Sequence, residues 1–315
     1  MIKKRILIPI IILSVILLAC SCYITNGLYQ SSKLLTAVEN NDYESAKEAV
    51  ECGAWINKRR FVVYLPAIMG INTTPLIEAC KNGNQEIVEL LIENGADVNF
   101  EDNGTKNTPL LAAIKGTKEN RFRLAMYIIE KGGDIYANQG GASVFYRALY
   151  ISENDSEQNV DESVTLIKYL LENNVDQTIY MSKENALTHA AHYRNYGAVD
   201  YLIQEGYYDV NCRDDNGDTA LIVSVKYNNV KTVEVLLKHG ADASLCDTTG
   251  KTALDYAKEN GNDEIITNQG TVPCVDKKLR WRQGKISLVS YRGIYPCTVF
   301  VYRQYRLNVG YDLRQ

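Results

Sequence analysis

Two histidines, His189 and His192, stand three positions apart in "NALTHAAHYRN". On a helix that spacing places both imidazoles on one face, where a pair could ligate a metal ion. No Cys or carboxylate cluster completes a site, so the pair reads as two exposed surface positions and no metal is expected. His239 directly precedes Gly240, where a helix should end and its dipole favours a cation, a structural role. "DDNGD", Asp214 to Asp218, is faintly like a calcium loop but lacks the closing glutamate and its spacing, and reads as a turn. The eight cysteines form no C-x-x-C pair. No glycine-rich phosphate loop follows a strand, and no Ser-His-Asp or paired-carboxylate arrangement is present. Neither a catalytic residue nor a cofactor is expected, and the chain does not read as an enzyme.

The elements that carry these residues come from a recurring phrase. "TPLIEACKNGNQEIVELLIENGADVN" runs from Thr74 to Asn99, and "TPLLAA" restarts it at Thr108, 34 residues on. "NALTHAA" restarts it at Asn185, "DTALIVSV" at Asp218 and "KTALDYAKENGN" at Lys251, with Thr219 and Thr252 33 residues apart. Its second half recurs at Gly95, Gly132, Gly206 and Gly240. Within one unit Leu76, Ala79 and Cys80 share a face of a short helix. Ile87, Val88, Leu91 and Ile92 form the stripe of a second helix. Thr74 is placed to cap the first helix with Pro75 at its first position. Gly95 supplies the left-handed residue after the second. One such unit cannot bury its own apolar face, so neighbours must stack.

A period near 33 with this phrase resembles the ankyrin repeat. The resemblance implies an all-α solenoid of helix-turn-helix units with β-turn tips, over residues 32–266, in about seven units. The first unit (Ser32 to Asn57) and the fourth are degenerate. The third carries the insertion "GTKENRFR" and the fourth "SENDSEQNVDE", while Lys58 to Asn72 is longer than a normal connection. The family's histidine in its T-P-L-H phrase is absent. Ile77, Leu111, Thr188, Ile222 and Asp255 stand there instead, so the hydrogen bond it makes between units is lost or replaced. Cys212 and Cys246 fall at matching positions of adjacent units, roughly 10 Å apart and beyond the ~7 Å reach of a disulfide.

The N-terminus has a basic start, Lys3, Lys4 and Arg5, and an uncharged run from Ile6 to Ala19. "LLAC", ending at Cys20, resembles the lipobox of bacterial lipoproteins and implies lipid attachment at Cys20 after removal of residues 1–19. The competing readings are an uncleaved anchor with the apolar run continuing to Ile24, and plain secretion. All three place the bulk of the chain outside the cytoplasm, with residues 20–31 as a tether. At the other end, residues 268–315 hold nine Lys/Arg and two Asp/Glu, a basic, tyrosine-rich tail (267–315) after an acidic body. It reads as a small strand-forming module, a poorly ordered tail or the product of a frame change. Cys274 and Cys297 within it could pair in an oxidising compartment.

In the ankyrin family binding resides in the concave face, made of turn tips and the exposed side of each first helix. Carried over by position, the tips are Phe100, Asp102, Tyr136, Asn138, Tyr180, Arg213, Asp215 and Asp247, and the helix positions include His189, His192, Tyr193 and Tyr227. The expected function is a non-enzymatic, membrane-tethered scaffold that binds another protein, a basic one by steering. The chain is expected to be monomeric, without nucleic acid, and of bacterial origin. The alternatives are an immunity or protective factor against a toxin or for an envelope enzyme, and a host-directed effector.

Overall fold

The computed structural model describes residues 2–58, 60–64, 69–102, 104–116, 119–178 and 183–261, in two compact units, Met1–Ser182 and Lys183–Gln315. In the first unit, helices α1 (Ile2–Glu39), α2 (Tyr43–Glu51), α3 (Pro75–Asn82), α4 (Gln85–Glu93), α5 (Pro109–Lys115), α6 (Arg121–Glu130), α7 (Val144–Ala148) and α8 (Glu157–Glu172) form successive pairs. The first members stack in order, α1 on α3, α3 on α5 and α5 on α7.

The local chemistry of each pair is that of the phrase. Thr74 Oγ1 accepts from Ile77 N and Thr108 Oγ1 from Leu111 N, each with proline at the first helical position. Gly83 ends α3 in the left-handed region, φ 69°, and Asn84 at once caps α4 through Ile87 N. Where the phrase lacks this glycine, Asn41, Arg194 and Asn228 take the same left-handed backbone, at φ 58°, 61° and 56°. Asparagine tolerates that conformation better than arginine does. Ala79, Cys80, Ala112 and Ala113 are buried between neighbouring helices, where only small side chains permit close approach.

The over-long connection before α3 is an antiparallel hairpin, β1 (Arg60–Tyr64) on β2 (Met69–Thr73), with Val62 opposite Ile71. A shorter hairpin, β3 (Asn138–Gln139) and β4 (Ala142–Ser143), turns at Gly140 and Gly141, both at positive φ. The two insertions in the third and fourth repeats meet. Arg121, buried at the start of α6, grips Asp155 before α8 in a two-toothed ion pair of 2.7 and 2.8 Å.

Residues 20–31, expected to be a tether, are helical and continuous with the first repeat. No proline interrupts the stretch, and from Asn26 onward α1 is bonded to the segment after α2, with Asn26 Nδ2 donating to Cys52 O at 2.9 Å. Among the described residues no helix is long and apolar enough to cross a membrane.

The second unit holds α9 (Ala186–His192), α10 (Tyr196–Gln204), α11 (Ala220–Lys226), α12 (Val230–Lys238) and α13 (Ala253–Asn260). Helices α9, α11 and α13 stack through Leu187, Ala190, Ala191, Leu221, Val225, Leu254 and Ala257, all buried. The basic tail 267–315, with Cys274 and Cys297, and Tyr180 lie outside the described residues.

Asparagines staple neighbouring repeats to one another. Asn57 Nδ2 donates to Gly95 O and its Oδ1 accepts from Asp97 N; Asn99 repeats this with Gly132 O and Asp134 N, at 2.8–2.9 Å. Asn211 Oδ1 accepts from Asp242 N at 2.7 Å. A second series joins helix ends: Asn82 to Val38 O, Asn120 to Gly83 O, Asn229 to Ala191 O and Asn260 to Val225 O. These bonds tie repeats together where the family's histidine is missing.

Candidate partner-binding surface

The turn tips are built by aspartates that face inward. Asp102 Oδ1 accepts from Gly104 N and Thr105 N, and its side chain is buried. Asp247 accepts from Thr249 N at 2.8 Å, Lys251 N at 3.1 Å and the Tyr256 hydroxyl at 2.6 Å. Burial alone would raise its pKa, but the donors from Tyr256, Thr249 and Lys251 outweigh that and hold it well below the carboxylate range. Asp214, in the calcium-loop-like stretch, closes the same turn on Asn216 N and Asp218 N. Its pKa is raised, chiefly by burial. Arg213 Nη1 donates to Gly217 O and Cys246 O. Asp102 and Asp247 therefore shape the tips from buried positions, and half-buried Arg213 links its turn to the next.

The two histidines are not a pair of exposed positions. His189 is 1% exposed and its Nδ1 lies 2.6 Å from Glu184 Oε2, while His192 Nδ1 lies 2.7 Å from Oε1 of the same carboxylate. Glu184, from the loop five residues before His189, thus bridges the two imidazoles through its two carboxylate oxygens. Burial opposes its charge, but the two imidazoles lower its pKa to about 2. Among the described residues no group of three His, Cys, Asp or Glu side chains could hold a metal ion. His239 Nε2 meets Asp200 Oδ1 at 2.6 Å.

The remaining positions separate by exposure. In the first unit Tyr136 is 64% exposed, with its hydroxyl donating to Asn173 O at 3.1 Å, and Asn138 is exposed beside it. Tyr136 occupies the place that Asn99 holds in the preceding repeat and makes the link to the next repeat with a longer side chain. Phe100 is half-buried. In the second unit His192 is sandwiched between Tyr193 and Tyr227, at centroid distances of 4.3 and 3.7 Å. Tyr227 is 48% exposed and Asp215 is exposed. Beside this stack Lys226 Nζ bonds Asp218 at 2.8 Å and lies 4.6 Å from the Tyr256 ring centre. Cys20 is an exposed free thiol within α1. Glu184 and Tyr256 carry much of the geometry of this surface without a signal in the sequence, and Asp218, legible only as part of a turn, joins them. Their contacts cross turns rather than following a helical period.

A family model for ankyrin repeats in three copies matches residues 34–139 and 198–268. An ankyrin repeat protein of Monkeypox virus is 28% identical over 196 residues, 61% of this chain and 32% of that protein. One from Fowlpox virus is 22% identical over 262 residues, 82% of this chain and 63% of that protein. The human ASB11 ankyrin repeat domain superposes with a TM-score of 0.55 at 22% identity, covering 76% of this chain and 98% of that domain. This chain belongs to the ankyrin repeat family, whose repeats are generally non-enzymatic protein–protein interaction modules. It spans about a third of the length of the Monkeypox virus relative, 32%. These proteins are viral and human and do not support the bacterial source or the lipoprotein-like signal expected from the N-terminus.

Proposed function

We propose that the protein is a scaffold that captures another protein on its turn tips and first-helix ends, while its N-terminal helix holds it at a membrane. The observation that carries the reading is the exposure of Tyr136 in the first unit and of Tyr227, stacked on His192, in the second. Each offers a large aromatic face at small entropic cost, the profile of an interface anchor. The acidic body favours a partner with a basic surface. Crosslinking capture with the full chain tests this against a Tyr136→Ala/Tyr227→Ala variant, with Tyr136→Phe separating ring contact from the Asn173 bond. A client lost with the alanines and kept with phenylalanine supports the reading. A client indifferent to all three sinks it.

The membrane half rests on Lys3, Lys4 and Arg5 followed by an uncharged run, and on exposed apolar residues along α1. Flotation of the full chain with lipid vesicles, and its loss on deleting residues 1–24, is the expected outcome. The viral relatives favour a second reading, that the client is a protein of an infected host. Capture from host lysate, absent from lysate of other cells, distinguishes it.

A further inference from the structure

Helix α1 runs without a break from Ile2 to Glu39, so the apolar N-terminal segment and the first helix of the first repeat are one rod. On that rod Val15, Ile16, Leu17 and Leu18 are 58%, 51%, 60% and 66% exposed. Four consecutive helical residues, each turned about 100° from the last, go most of the way round the axis. A groove on a partner protein covers one stripe of a helix, whereas a bilayer covers every side of it at once. The basic residues ahead of the run suit an anionic lipid surface.

The fastening to the first repeat begins just past Ile24, while Leu28 and Tyr29 on the free side of the helix stay exposed. Ile24 is the last of the exposed aliphatic residues before the contact, and Thr25 Oγ1 donates back to Ser21 O at 2.9 Å within the unbroken helix. Then Asn26 Nδ2 bonds Cys52 O, and Ser31 Oγ donates to Gly27 O at 2.6 Å while accepting from Trp55 N at 2.8 Å. The Trp55 indole lies flush against Gly27; a Cβ there would stand 2.5 Å from its Nε1. From Ile24 to Gly27 the helix rises about 4.5 Å, less than the roughly 5–7 Å depth of one headgroup layer.

We infer that α1 is a rigid mount and not a tether. With its apolar half in a bilayer, it holds the first ankyrin repeat in the headgroup layer, with the Trp55 indole at the interface where tryptophan is favoured. Exposed Tyr23 and Tyr29 flank that level on the same helix. The inference rests on the membrane reading above and adds the depth and fixed attitude of the first repeat.

The test uses the full chain with Trp281→Phe, which leaves Trp55 the one tryptophan of the two in the sequence. The protein is mixed with phosphatidylcholine–phosphatidylglycerol vesicles whose lipids carry bromine close to the headgroup. Loss of Trp55 emission in brominated vesicles is expected. A Gly-Ser linker inserted after Thr25 should keep flotation and restore the emission. Bright Trp55 in a chain that floats, or equal quenching with and without the linker, overturns the rigid mount and leaves membrane attachment standing. Failure of the chain to float, with or without the linker, overturns both.

Discussion

Replacing Asp155 by alanine should destabilise the third and fourth repeats by about 3–5 kcal/mol. The magnitude follows from burial. The Arg121 and Asp155 side chains are 3% and 4% exposed, so the value near zero to 1 kcal/mol typical of surface pairs does not apply. The carboxylate accepts from both Arg121 terminal nitrogens, from Ser152 N at 2.6 Å and from Asn159 Nδ2 at 2.6 Å. Four charge-assisted bonds at about 1.5–3 kcal/mol each would sum to more than the loss, because water and neighbouring groups relax into the gap. The cost of orphaning one buried charge is the better guide. Arg121 would keep only Tyr150 O, at 3.0 Å, and its packing on the Phe122 ring. The assay is urea unfolding followed by hydrogen exchange at the amides of α6 and α8, which reads these repeats locally. Arg121→Met/Asp155→Leu should recover most of the loss, since an apolar pair needs no desolvation. Burial raises the Asp155 pKa, but the Arg121 and Ser152 donors outweigh it and the net shift is downward. The difference between parent and Asp155→Ala should therefore be full above the ordinary aspartate pKa and shrink as pH falls below it. A loss under about 1 kcal/mol at neutral pH, the surface value, would refute the reasoning.

Glu184→Gln should destabilise α9 by about 1–3 kcal/mol by removing the carboxylate on which buried His189 rests. Because the Glu184 pKa falls from 4.5 to about 2, its contribution holds above about 4.5 and disappears as pH drops toward 2, a window that thermal melts across acid pH will trace. Asn99→Ala removes two bonds to the next repeat and should cost about 1–2 kcal/mol in urea unfolding, whereas Asn138→Ala, on an exposed side chain, should cost less. Gly27→Ala drives a Cβ into the Trp55 indole and should destabilise the first repeat by about 1–3 kcal/mol, with a red shift of Trp55 emission as the ring is expelled.

The repeat was legible because its signals are local. Thr74, Pro75 and Gly83 sit within one helical unit: Thr74 and Gly83 bond backbone groups three residues away, and Pro75 sets its own φ. The staples were legible in part: Asn57, Asn99 and Asn211 recur at one place in the phrase, although nothing in a single unit says that the amide reaches the next. The clamp between Arg121 and Asp155 was not, because both lie in insertions that no other repeat shares and they are 34 residues apart. The inward orientation of two tip aspartates was hidden for a different reason. An aspartate in a turn satisfies its carboxylate equally by water or by backbone N–H groups two to four residues on. Composition does not distinguish these, and Asp102 and Asp247 turn inward. The continuity of α1 through Cys20 was obscured by the likeness of "LLAC" to a cleavage site, although no helix breaker stands between Thr25 and the first repeat except Gly27, which the helix keeps because Trp55 needs the space.

Two of the stapling asparagines carry a chemical clock. Asn82 and Asn260 each precede a glycine, the sequence in which the following backbone nitrogen attacks the side-chain amide, expels ammonia and leaves aspartate or isoaspartate. Here that nitrogen is occupied, with Gly83 N donating to Cys80 O and Gly261 N to Lys258 O at 3.2 Å, while the amides themselves are held on Val38 O and Val225 O. The folded helix end thus protects its own thermolabile residue, and damage requires that end to open. Once formed, the carboxylate would face a carbonyl oxygen and repel it, so each opening makes the next one easier. The age of a molecule would then be written first in the joints between its repeats, and the rate of ammonia loss at Asn82 and Asn260 would count how often those joints part.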